Sequence, residues 1–172
     1  MKRAALLLAL GALSLAGCGL RPLYSGGASG PAAQALGEIE IGPIAGKNGW
    51  LVRSALADRL AAVPKGAARY RLEVELDDQI IGYAIRSDDA VTRERRTLRA
   101  RYRLVATDKG TVMLDATAGS DTGIDIVSSE YATIAAENTA LENMSQAIAD
   151  QIVARIALFA SRTKDLPAAD TP

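Results

Sequence analysis

Histidine is absent from all 172 residues, and cysteine occurs once. The first absence excludes the usual zinc sites, histidine acid–base catalysis and Ser-His-Asp triads. The second excludes an intramolecular disulfide. Aromatic residues are few, with one Trp and one Phe beside five Tyr. The apolar run near the N-terminus, Ala4 to Leu13, falls short of the roughly 20 residues that a membrane-crossing helix needs. One further absence is local. From Gly110 to Ala154 there is no Lys or Arg, although acidic residues continue (Asp115, Asp121, Asp125, Glu130, Glu137, Glu142, Asp150). Basic residues crowd instead between Arg53 and Lys109, so only one half of the chain can present a cationic face. The totals balance at 20 basic and 20 acidic residues, which argues against bulk nucleic-acid binding.

What is present begins with an export signal. Lys2 and Arg3 precede the short apolar run, and small residues follow it, the anatomy of a secretory signal peptide. The run ends in Leu15-Ala16-Gly17-Cys18, which resembles the bacterial lipobox. That resemblance implies cleavage before Cys18 and acylation of its thiol. Acyl chains gain about 0.8 kcal/mol per buried CH₂, so more than one chain makes a stable anchor. The expected organisation is a signal peptide over 1–17, a lipidated cysteine with a Gly/Ala-rich flexible tether over 18–36, one domain over 37–163 and a disordered tail over 164–172.

Within the domain, Glu38 to Ile44 reads as a short strand, with Ile39 and Ile41 on one face. Helical spacing of Leu51, Val52, Ala55, Leu56, Leu60 and Val63 predicts a helix over about 48–63, with Asn48 as N-cap. Tyr70 to Leu76 alternates apolar even positions with charged odd ones. After Asp78 the apolar positions become Ile81, Tyr83 and Ile85, a parity change that predicts a β-bulge or break there. Ser87-Asp88-Asp89 makes a turn. Thr92 to Leu104 and Thr111 to Ala118 complete a meander around the Thr107–Gly110 hairpin turn, with Val112, Leu114, Ala116 and Ala118 inward. Gly119 to Ser129 reads as a polar loop. A long helix follows over about 129–161, with Ile134, Leu141, Met144, Ile148, Ile152, Ile156 and Phe159 in its stripe. Each helix has one apolar stripe and the sheet has one apolar face. The expected fold is therefore an α/β (α+β) two-layer sandwich, a small mostly antiparallel four-stranded sheet covered on one face by two helices in the order β-α-β-β-β-α.

The strand from Thr92 to Leu104 carries the candidate site. Arg93, Arg95, Arg99, Arg101 and Arg103 fall on odd positions, so strand geometry lines guanidiniums along one surface. Glu94 and Arg96 make the start of that strand polar on both sides, as expected of a hairpin end that overhangs the helices. Guanidiniums engage phosphates and carboxylates through charge-assisted, often bidentate hydrogen bonds. Arg86, Arg93, Arg95 and Arg96 are the first candidates for such contacts, with Arg99, Arg101 and Arg103 second. Glu73 and Glu75 share the second group's sheet face, where cross-strand ion pairs are the competing role.

The segment Cys18-Gly19-Leu20-Arg21-Pro22-Leu23-Tyr24, the element order and the stretch Ala149 to Phe159 together resemble the lipopolysaccharide-assembly lipoprotein family LptE in its alphaproteobacterial type. Leu20 replaces the aromatic residue usual there. The resemblance implies an outer-membrane lipoprotein on the periplasmic side, lipid-anchored at Cys18, that plugs an LptD-like β-barrel and binds lipopolysaccharide. It implies no cofactor or metal. The loop before the last helix lacks the basic residue that the family often has, so a ligand site would rest on the hairpin arginines. An auxiliary lipoprotein of another envelope (ABC-type lipid) transport system is the alternative. Glu73, Glu75, Asp77 and Asp78 could suggest paired catalytic carboxylates, but three of them form one solvated strand face without a phosphate loop or nucleophile elbow. No enzymatic activity is expected. Trp50 is read as a core or interface residue.

Overall fold

Three stretches of alternating sequence become three long strands because each can bury one face on helices. In a computed structural model, residues 30–85 and 91–163 are described. The elements are α1 (Pro31–Gly37), β1 (Ile39–Ile41), α2 (Gly46–Leu60), β2 (Tyr70–Ile85), β3 (Val91–Ala106), β4 (Val112–Asp125) and α3 (Glu130–Thr163). The sheet order is β1-β2-β3-β4, with β1 parallel to β2 and the other pairs antiparallel. The signal peptide, Cys18, the tether before Gly30, Arg86 with its turn, and the tail lie outside the described residues.

The core fills the space between the even face of the sheet and the helices. Leu72, Val74, Leu98, Ala100, Tyr102 and Leu104 meet Val52, Leu56, Leu141, Ile148, Ile152 and Ile156, all buried. Burying each Leu, Ile or Val among them contributes about 1.5–3 kcal/mol. Arg59 of α2 ties the helix pair from outside, donating from Nε and Nη2 to the Asp150 carboxylate at 2.6 and 3.1 Å. This bond holds Asp150 below the usual carboxylate range. A depressed folded-state pKa lends stability that is complete above the unfolded value near pH 4. It is lost as pH falls through the folded value. Asp150→Asn is therefore expected to lower the melting temperature at pH 7 while flattening part of its fall below about pH 4, as thermal melts across pH would read.

Several expectations are corrected. Residues 31–36 are not tether but the body of α1, whose Ala32, Ala33 and Leu36 are buried. Seven residues cannot hold a helix alone. Pro31 at its first turn and the burial of Leu36 hold it here. Gly37 admits a close backbone crossing, since a Cβ there would stand 2.1 Å from the Pro64 carbonyl oxygen. Asn48 is not the N-cap of α2, which begins after Ala45 without a side-chain cap. The bulge near Asp78 does not form: Asp77, Asp78 and Gln79 pair in unbroken register with Arg99, Leu98 and Thr97. The parity changes there because the helix α2 ends, leaving the even face of β2 uncovered, with Ile80 43% exposed. Ile81 and Tyr83 simply occupy the outer face, exposed. The irregularity sits at Leu104/Val105. It turns Val112 outward to an exposed position, against expectation. Residues 119–125 extend β4 instead of forming a loop, because main-chain bonds to the long β3 need no apolar alternation. Gln151 supports that strand from α3, donating to the Gly119 carbonyl and accepting from its N–H. Trp50 is exposed and takes no part in the core.

Candidate functional site

The register places Arg93, Arg95, Arg99, Arg101 and Arg103 on the sheet face turned away from the helices. Glu73, Glu75 and Asp77 of β2 share that face, as do Asp115, Asp121 and Asp125 of β4. The arginine row is therefore flanked by acids on both sides, and side-chain geometry decides which guanidiniums remain available.

Arg93 donates from Nε to Asp125 at 2.5 Å, and this bond raises its pKa. Arg101 makes a two-pronged contact with Asp115, from Nε at 3.2 Å and Nη2 at 2.9 Å. The same contact lowers the pKa of Asp115. Arg103 lies 3.3 Å from Glu73 and 3.7 Å from Glu75. These exposed pairs contribute little to stability, roughly 0–1 kcal/mol each. They do, however, occupy the guanidiniums. Arg95 stands over the Tyr83 ring, 5.7 Å from its centroid, a cation–π contact, and its guanidinium donates no hydrogen bond to any other described residue. Arg99 has no acidic partner within salt-bridge distance among the described residues. It lines a shallow depression with Thr97, Thr117 and Asp121. Arg95 and Arg99 are thus the available pair, about 13 Å apart along the strand at 3.3 Å per residue.

Arg96 goes elsewhere. Its even position turns it to the helix side, where it is 8% exposed. Nε and Nη2 donate to Asp78 at 2.9 and 2.6 Å, and Nη1 donates to the Glu137 carbonyl at 3.1 Å. Asn48 adds a 2.5 Å bond to the same Asp78 carboxylate, and Lys47 reaches Asn138 at 3.1 Å. These contacts join α2, β2, β3 and α3 at one cross-section. The three described hairpin arginines are therefore divided between two faces, and Arg86 lies outside the described residues. Nothing in the sequence flagged Asp78 as the partner of Arg96, because the pairing depends on two strands and a helix meeting.

A second concavity, about 230 Å³, lies at the opposite end of the domain. Pro31, Ala35, Tyr70, Ile156 and Phe159 line it, with Glu38 and Arg69 at 3.7 Å from one another on its wall. No group of three or more potential metal ligands occurs among the described residues.

Comparison with known proteins decides the family. The family model LptE, lipopolysaccharide-assembly, matches residues 36–156. The chain belongs to the LptE family. That span takes in the whole sheet, α2 and most of α3, and the family's role is lipopolysaccharide assembly rather than catalysis. LptE lipoproteins are associated with the outer membrane. No helix among the described residues is long and apolar enough to cross a membrane. Solved structures share the fold. A crystal structure from Caulobacter crescentus CB15, described as that of a lipoprotein, aligns with TM-score 0.63 at 21% identity, over 77% of this chain and 98% of its own. A lipoprotein B from Nitrosomonas europaea aligns at 0.56 and 11% identity, over 74% and 84%. A minor lipoprotein from Acinetobacter baumannii aligns at 0.53 and 13% identity, over 78% and 97%. A search of curated protein sequences finds no match. The α+β fold of this LptE domain, a mixed four-stranded sheet with three helices, agrees with the expected order apart from the added α1.

Proposed function

We propose that this chain is the lipid-anchored partner of an LptD-like outer-membrane β-barrel, held on the periplasmic side by acylated Cys18 and seated in the barrel as a plug during lipopolysaccharide assembly. The observation that carries the reading is the LptE family match across residues 36–156. The outer sheet face supports it: large barrels have polar interiors, and this face is built of paired charges that tolerate a wet, polar wall. The test is a mild-detergent pull-down of the tagged, lipidated protein from its own outer membrane. A stoichiometric large β-barrel is expected. An inner-membrane transporter in its place would overturn the reading in favour of a different envelope lipid-transport system.

Within that reading, lipopolysaccharide phosphates and carboxylates engage Arg95 and Arg99. Arg93, Arg101 and Arg103 already face carboxylates. A hydrogen bond to a charged group is worth about 1.5–3 kcal/mol, so losing one costs roughly tenfold or more in affinity. The double substitution Arg95→Ala with Arg99→Ala is expected to weaken lipopolysaccharide capture by at least tenfold at low salt. Arg101→Ala should change it less than twofold. Equal losses for both variants would show only general charge attraction.

A further inference from the structure

The helix α2 is much shorter than what it packs between. Its 15 residues span about 22 Å, whereas the 34 residues of α3 span about 51 Å. The cross-section of Arg96, Asp78, Asn48 and Lys47 marks the N-terminal end of α2. Beyond it β2 continues to Ile85, and α3 extends back to Glu130. Both are bare where α2 would have lain. Ile80, on the helix-side face of β2, is 43% exposed; Ile134 and Tyr131 of α3 are 47% and 83% exposed. Ile134 stands seven residues before Leu141 and fourteen before Ile148, on the face of α3 that is core farther along. Val127, just ahead of the helix, is exposed as well.

The charge of this cleft is one-sided. Glu94 turns to the same side as Arg96, and its Oε2 is buried without a hydrogen-bond partner. An unsatisfied buried carboxylate oxygen is costly and rare in a finished structure. Two described cations at this end are already engaged: Arg96 with Asp78, and Lys47 with Asn138. The segment that forms the cleft's other wall lies inside the stretch 110–154, which holds no Lys or Arg.

We infer that this cleft docks a cationic, apolar-flanked segment of the β-barrel partner, with a Lys or Arg meeting Glu94 and apolar side chains covering Ile80, Tyr131 and Ile134. The inference rests on the reading above. It adds a specific barrel contact on the helix side of the hairpin, distinct from the outer sheet face that carries Arg95 and Arg99.

A benzophenone amino acid placed at Ile134 or Ile80 in the full lipidated chain, irradiated in whole cells, tests it. The expected adduct joins either position to one barrel peptide containing Lys or Arg among apolar residues. Glu94→Gln should reduce adduct yield at least fivefold without lowering the thermal melt. If the barrel co-purifies but neither position crosslinks to it, the docking site is overturned while the plug reading stands. A crosslinked peptide without Lys or Arg, or a yield indifferent to Glu94→Gln, overturns the charge assignment and with it the inference. If no barrel co-purifies at all, both readings fall.

Discussion

Arg96→Ala is expected to lower the unfolding free energy by about 3–5 kcal/mol, the cost of leaving one member of a buried ion pair uncompensated. The Asp78 carboxylate would keep only Asn48 as donor, and the Glu137 carbonyl would lose its partner. Arg96→Lys should recover little, because a single ammonium cannot span a two-pronged carboxylate contact and a carbonyl on another element. Replacing both partners, Arg96→Met with Asp78→Leu, should restore much of the loss, since no buried charge then remains. Urea unfolding followed by far-ultraviolet circular dichroism reads all three. A loss under 1 kcal/mol for Arg96→Ala would mean that the cross-section is wetter and looser than its 2.6 Å contact implies. The same series separates structure from ligand binding: folded Arg96 variants should capture lipopolysaccharide as the wild type does.

Ile148→Ala and Ile134→Ala form the second prediction, one substitution at two places on the same helical stripe. Ile148 is 0% exposed, so its truncation removes buried methyl groups and leaves a cavity, at a cost of about 2–5 kcal/mol. Ile134 lies beyond the end of α2 and is half exposed, so its truncation should cost less than about 1 kcal/mol in the isolated chain. In the barrel complex the order should change. Ile134→Ala should then weaken association, read as barrel recovered per lipoprotein, by about tenfold or more if the cleft is filled. Equal stability losses at the two sites would show that the α3 stripe is covered along its full length.

Much of the fold was legible because period 2 and period 3.6 report which side of an element meets a core. The even face of β2 and β3 and the stripe from Leu141 to Ile156 follow directly from spacing. Two of the failures have separate causes. Ile81 and Tyr83 suggested a bulge because the even face of β2 is uncovered beyond the end of α2, and residues 119–125 suggested a loop because Gly119, Gly123 and the polar residues beside them hide the alternation that leaves Ile124 buried. Strand pairing persists there through main-chain hydrogen bonds that no side-chain pattern records. α1 was hidden for a related reason. Its run of small residues resembles a tether until Ala32 and Leu36 are seen packed in the core.

The candidate site divides along the same line. Composition alone removed histidine chemistry, and the odd positions of β3 alone aligned five guanidiniums on one surface. Which of them are free was decided by their neighbours. Register and rotamer set Asp125 against Arg93 and Asp115 against Arg101, while Arg99 has no such partner among the described residues. Parity also assigned Arg96 to the helix side, but its burial required Asp78 and Glu137 to arrive from elements 18 and 41 residues away. Local sequence thus determined which face each side chain takes, because φ/ψ geometry repeats along an element. Tertiary structure decided which of those faces are covered, paired or left open. That outcome depends on the relative lengths and meeting points of α2, α3 and the sheet, which no single stretch of the chain contains.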